Sequence, residues 1–190
     1  IVNSMLDVAR LENQVVTPHL ETTMLGPILR LIQKDYLNDL KERQITLQLD
    51  PDINSAPAVL ADSELLKKAL DNVIVNAIKF TPDGGSIFVS AHTVKVDGRG
   101  DTCEIRVRDT GIGIAEENHV IIFEKLYQIG KVELHSSGRT KFKGGGPGLG
   151  LAISAGIVKA HKGKIWVESP GYDEEKLPGS TFFIQIPLAK

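Results

Sequence analysis

The chain has 190 residues, 42% hydrophobic, 24% charged and 5% aromatic, with a formal net charge of −2. That length holds one sizeable domain plus an appendage, and the near-neutral charge argues against nucleic acid as a partner. The single Cys103 excludes an internal disulfide framework and suits a reducing, cytoplasmic setting, and no apolar run approaches the roughly 20 residues that cross a bilayer, so no direct membrane contact is expected.

Ile1, Met5, Leu6, Val8, Ala9 and Leu11 follow a helical pattern already under way at the first residue. Residues 1–14 therefore read as the end of a truncated helix, and any membrane anchor of a longer parent would lie outside this chain. Residues 15–21, with Pro18, read as a linker and 22–190 as the main domain. An amphipathic helix is predicted over Leu25 to Arg43, burying Ile28, Leu29, Ile32, Tyr36 and Leu40, with Gly26 and Pro27 in its first turn. Ile45, Leu47 and Leu49 alternate with polar residues as in a half-buried strand. Asp62 is placed to cap a helix with Glu64 in its first turn, which runs to about Phe80 and stops at Thr81-Pro82-Asp83-Gly84-Gly85.

Strands follow over about Ser86 to Val96 and Thr102 to Asp109, joined near Asp97-Gly98. A short helix around Glu116 to Glu124 precedes a long Gly- and Lys-rich loop. A helix from about Gly150 to His161 and strands over Lys164 to Glu168 and Thr181 to Pro187 complete the chain. Helices and antiparallel-looking strands mix without βαβ alternation, which predicts an α+β two-layer sandwich. Trp166, in an alternating strand, reads as core packing, and the histidines show no metal-site spacing.

In the helix after Asp62, Asn72, Asn76 and Lys79 fall at i, i+4 and i+7 and so share one face. Asn is a poor helix former, so two on one face invite explanation: a solvated polar face, or amide oxygens for a hard cation with Lys79 set to meet a phosphate. Asp109 shares the inward face of its strand with Ile105 and Val107, where a lone carboxylate is costly unless a donor such as the adenine amine meets it. Gly111 and Gly113 permit positive φ and close backbone approach to a base. The stretch between Lys125 and Gly148 carries Lys125, Lys131, Arg139, Lys141 and Lys143, a cationic set suited to polyphosphate. It ends in Gly144 to Leu151 and passes straight into a helix, whose free N–H groups form an anion site. No P-loop string occurs, and Glu116 stands where a dinucleotide fingerprint needs its third glycine.

Taken together, these segments resemble the catalytic and ATP-binding domain of sensor histidine kinases, in the superfamily shared with gyrase, Hsp90 and MutL-type ATPases. Asn72 to Thr81 resembles the N box, Asp109 to Ile114 the G1 box, Phe123 to Tyr127 the F box and Gly146 to Leu151 the G2 box, in the family's order. Pro178 to Phe182 is similar to its last adenine-side strand.

The resemblance implies a Bergerat-type fold, a mixed sheet of about five strands covered by three helices. It also implies ATP and Mg²⁺ as cofactors. Asp109 would bind adenine, helped by Gly113 and a hydroxyl from Ser180 or Thr181, and Gly111 and Tyr127 would belong to the same cofactor site. Asn76 would ligate Mg²⁺, Asn72 and Lys79 would act at the phosphates as the catalytic pair, and Gly146, Gly148, Leu149, Gly150 and Leu151 would hold the phosphate tail. ATPase relatives carry a glutamate base at the position of Asn72, and an amide cannot accept the proton of an attacking water. The implied reaction is therefore transfer of the γ-phosphoryl group to a histidine outside this chain, for relay to a response regulator receiver domain. The full-length protein would be a homodimer through the absent helical domain, and residues 1–14 would be that domain's last helical end. Lys125 stands where the F box usually has proline and Gln128 where an arginine often follows, which leaves open which cation reaches the γ-phosphate. An ATPase clamp of the same superfamily and a non-catalytic nucleotide scaffold are the alternatives.

Overall fold

The computed structural model describes residues 17–98, 100–124, 140–144 and 148–189, so the helical end expected over residues 1–14 lies outside the described residues. In chain order come β1 (Glu21–Thr23), α1 (Leu25–Asp35), α2 (Leu37–Glu42), β2 (Thr46–Leu49), a 3₁₀ turn (Pro51–Ser55), β3 (Val59–Ala61) and α3 (Ser63–Phe80). They are followed by β4 (Ser86–Val96), β5 (Gly100–Asp109), α4 (Asn118–Ile121), α5 (Gly150–Ala160), β6 (Lys164–Glu168) and β7 (Ser180–Pro187).

The main sheet has the order β2-β4-β5-β7-β6, with β2 parallel to β4 and every other pair antiparallel. It is the mixed five-stranded sheet of an α+β sandwich. Period-two alternation sends Ile87, Val89, Cys103, Ile105, Val107, Phe182, Ile184 and Ile186 to one buried face. Leu29 and Ile32 of α1, Leu66, Leu70, Val73 and Ile74 of α3, and Ile153 and Ile157 of α5 share the same core cluster. Each such aliphatic side chain contributes about 1.5–3 kcal/mol by leaving water, so this layer supplies most of the fold's driving force. Asp62 caps α3 by accepting from the Leu65 amide at 3.0 Å, and Glu64 lies in the first turn.

Three departures from the sequence reading have local causes. The helix expected over Leu25 to Arg43 is broken at Tyr36 (φ −103°, ψ 9°), a buried residue whose hydroxyl donates to Asp71 Oδ1 of α3 at 2.9 Å. Residues 21–23, at the boundary of the expected linker, pair antiparallel with β3 as a two-stranded sheet, and Leu188 bridges to Val59 on β3. Three-residue strands are too short to show a period. Finally, Trp166 is not core: Ile165 and Val167 alternate with it, and its ring stacks on Phe183 (4.9 Å between centroids, 4° between planes) on the face away from the helices.

Candidate functional site

Asp109 ends β5 opposite Ser180 of β7 and is only 5% exposed. Its Oδ1 accepts from the Gly111 amide at 2.8 Å, and burial pushes its carboxyl up to about 6 despite backbone hydrogen bonds from Gly111 and Ser180 that pull it down. Directly opposite residues of an antiparallel pair share a face, so Ser180 lies on the side of Asp109, whereas Thr181 pairs with Arg108 and Glu168 on the other.

The bend after Asp109 is shaped by packing of chain on chain. A Cβ on Gly111 would stand 2.3 Å from the Phe80 carbonyl oxygen, and one on Gly113 (φ 73°) 2.0 Å from that of Gly171. The close approach expected toward a base is thus, at these two positions, an approach to the end of α3 and to the loop between β6 and β7. The Ile112 amide donates to Phe80 O (3.1 Å), Asp173 N–H to Ile112 O (2.8 Å) and Gly179 N–H to Gly111 O (2.9 Å). Ser169 Oγ accepts from the Ile114 amide at 2.9 Å and donates to Gly179 O at 2.7 Å. Phe80 and Ser169 are contributors the sequence did not single out, because their role is to position backbone and no side-chain pattern announces it.

On α3 the residues Asn72, Asn76 and Lys79 are half-buried, next to Val73, Ile74, Val75, Ala77 and Ile78, which are buried. Burial lowers the Lys79 ammonium below its ordinary value. The Asn72 amide faces the start of α5: a Cβ on Gly150 would lie 3.5 Å from Asn72 Oδ1. That start has no side-chain cap and no acidic residue in its first turn, so its leading N–H groups are available to an anion. Gly148 just before it takes φ 65°. The side chain of Leu149 is 3% exposed and belongs to the core, and Leu151 packs against that core, so what this turn offers a ligand is backbone. Ser154 Oγ donates to Ala69 O at 2.9 Å and fixes α5 against α3.

Asn72 Nδ2 is buried and has no hydrogen-bond partner among the described residues, which leaves an N–H donor for a ligand to satisfy. No hydrogen bond engages the Asn76 side chain among the described residues, which leaves its amide oxygen available. The Asn76 amide oxygen fits Mg²⁺, which takes oxygen ligands and shares them with phosphate and water, whereas the Asn72 N–H suits an anionic oxygen. Lys125, Tyr127, Gln128, Lys131, Arg139 and Gly146 lie outside the described residues.

Comparisons with known proteins bear on the family and the fold. The circadian input-output histidine kinase CikA of Synechococcus elongatus is 34% identical over 192 residues, which cover 98% of this chain and 23% of that protein. The chain thus spans about a quarter of that relative's length. The full-length ShkA structure, solved in complex with AMPPNP, superposes with a TM-score of 0.77 at 27% identity, covering 100% of this chain and 35% of ShkA. ThkA, solved in complex with the response regulator TrrA, shares the fold at a TM-score of 0.66 and 20% identity, covering 99% of this chain and 49% of ThkA. Residues 61–190, more than half of the chain, match the family described as histidine kinase-, DNA gyrase B-, and HSP90-like ATPase, and the chain belongs to that family.

Proposed function

We propose that this chain binds ATP between Asp109 and the facing ends of α3 and α5. In its full-length protein it would transfer the γ-phosphoryl group to a histidine on a helical domain, for relay to a receiver domain. The observation that carries the reading is the orphaned amide of Asn72, buried beside a capless helix start. An anionic ligand lying there would satisfy both at once. Asp109 would accept from the purine amine and Ser180 would lie beside it. The backbone from Gly148 to Leu151 would hold the phosphate tail, and Lys79 would contribute charge. Mg²⁺ on Asn76 would neutralise charge developing on the phosphate oxygens. Asn72 cannot take a proton from water, which supports phosphoryl transfer over hydrolysis. Dimerisation through the helical domain and a cytoplasmic location belong to the same proposal. Among the described residues no helix is long and apolar enough to cross a membrane.

The test is to mix the chain with a separately prepared dimerisation domain of the same protein and ATP. Acid-labile, base-stable phosphohistidine on the added domain is the expected product. Steady phosphate release without phosphohistidine would instead favour an ATPase clamp, and nucleotide binding with neither product a non-catalytic scaffold. Asn76→Ala should remove the Mg²⁺ dependence of nucleotide binding in calorimetry while leaving Mg²⁺-free binding largely intact. Unchanged Mg²⁺ dependence would move the ion elsewhere.

A further inference from the structure

Residues 140–144 are tied at one end to Asp39 and Arg43, beside the C-terminal end of α3, and at the other to Lys79 and to the loop between β6 and β7. At the first end, Thr140 Oγ1 donates to Asp39 Oδ1 at 2.7 Å, and the Thr140 carbonyl accepts from Arg43 Nη1 at 2.9 Å. Arg43 is 8% exposed, and the same guanidinium donates to Ile78 O (2.6 Å), Thr81 O (2.7 Å) and Asp83 Oδ1 (2.8 Å). The last carbonyls of a helix have no partner within it. One side chain therefore caps the helix that carries Asn72 and Asn76 and holds Thr140 against it. The Phe142 ring lies 5.7 Å from the Arg43 guanidinium and 5.6 Å from the Lys143 ammonium.

At the other end, the Lys143 amide donates to Lys79 O at 2.9 Å, and its ammonium meets Glu174 Oε1 at 2.5 Å. Lys143 takes φ 51°, a left-handed conformation that long side chains rarely adopt and that the surroundings must enforce. Glu174 sits in the loop between β6 and β7, whose Tyr172 bridges to Gly113 and whose Asp173 bonds Ile112. The segment thus joins the C-terminal end of α3 to the loop that packs on the glycine bend; its hold on that loop is the Lys143–Glu174 pair, whose Glu174 Oε1 also accepts from the Tyr172 hydroxyl.

We propose that residues 140–144 form a strap along the rim of the nucleotide site, anchored by Arg43 and latched by Lys143 on Glu174, and that this latch slows nucleotide release. The inference rests on the nucleotide lying between Asp109 and the ends of α3 and α5. Lys143 and Glu174 act as positioning residues: neither needs to touch the ligand. Their side chains are 40% and 47% exposed, so the link is a surface ion pair, worth little and sensitive to salt. Its loss should speed release about two- to fivefold.

The experiment is displacement of a fluorescent ATP analogue from the full 190-residue chain, followed by stopped flow at low salt. Lys143→Glu and Glu174→Lys should each speed release, the doubly swapped variant should restore the wild-type rate, and high salt should erase the differences. Glu174→Lys is the decisive variant. If the lysine acted only through its attraction for phosphate, adding positive charge at residue 174 would slow release, and that result overturns the strap. Wild-type rates in both single variants also overturn it. A wild-type chain that failed to bind the analogue would overturn the nucleotide site itself, and the strap with it. Melting temperatures equal to wild type in all variants are the expected control.

Discussion

Asp109 shows how far one buried carboxylate constrains behaviour. Its folded-state value of about 6 lies above the ordinary 3.8, so the folded chain holds this proton more tightly than the unfolded one. The resulting stability is present in full below about pH 4 and is lost as pH rises through 6; a shift near two units corresponds to up to about 3 kcal/mol. Binding runs the other way. A purine amine donates to the ionised form, so nucleotide affinity should fall as pH drops below about 6, with proton release on binding near that pH. Calorimetry in buffers of different ionisation enthalpy measures both. Asp109→Asn should abolish most purine-dependent affinity, remove the pH dependence, and leave the nucleotide-free chain as stable as wild type or more so at pH 8. Wild-type-like binding by this variant would show that the carboxylate does not read the base. Alternation of Ile105, Val107 and Asp109 made the inward carboxylate legible in the sequence. The roles of Gly111 and Gly113 were not legible, because the atoms they make room for belong to Phe80 and Gly171.

At the scale of elements, the site depends on how α3 and α5 meet. Ser154 bonds Ala69 midway, and His161 at the end of α5 bonds the start of α3. The Asp62 amide donates to His161 Nε2 at 2.9 Å, which leaves Nδ1 to donate to Ile157 O at 2.8 Å. His161 is 2% exposed, so His161→Ala should cost about 2–3 kcal/mol in urea unfolding through lost buried hydrogen bonds and a cavity. A loss within 0.5 kcal/mol, roughly what surface substitutions cost, would remove it from the packing argument.

Gly150→Ala makes the opposite trade. The new methyl would sit in ordinary contact, 3.5 Å from Asn72 Oδ1, and replacing a helical glycine gains up to about 1 kcal/mol. The variant should be more stable yet bind ATP more weakly, because it fills the space between the Asn72 amide and the helix start. Tighter binding would exclude that space as the phosphate cradle. The asparagines' common face could be read from the 3.6-residue period. That Asn72 Nδ2 is left without a partner follows only from the placement of α5 against it.

At the scale of the whole molecule, a single sheet organises both sides of the candidate site: β5 ends at Asp109 and β7 begins at Ser180, while the helices on its covered face bring Asn72 and Gly150 together. A ligand bound across both layers should stabilise the entire domain. Saturating ATP with Mg²⁺, at about a hundredfold above its dissociation constant, should add about 2.7 kcal/mol to unfolding. A thermal-shift titration reads this, and Asp109→Asn should show almost none of it. A shift retained in that variant would place the ligand elsewhere on the fold.

The sequence by itself determined most of the helices and strands, which of their faces are buried, and the order in which the family's motifs follow one another. Those properties depend on periods, caps and turn residues that act over a few neighbouring positions. Only the tertiary structure decided that the amphipathic stretch from Leu25 breaks at Tyr36, that Trp166 lies outside the core, that Arg43 binds the Thr140 carbonyl and that Lys143 pairs with Glu174. Each of these depends on a partner tens of residues away in the chain, and no local pattern encodes a contact whose other half is set by packing.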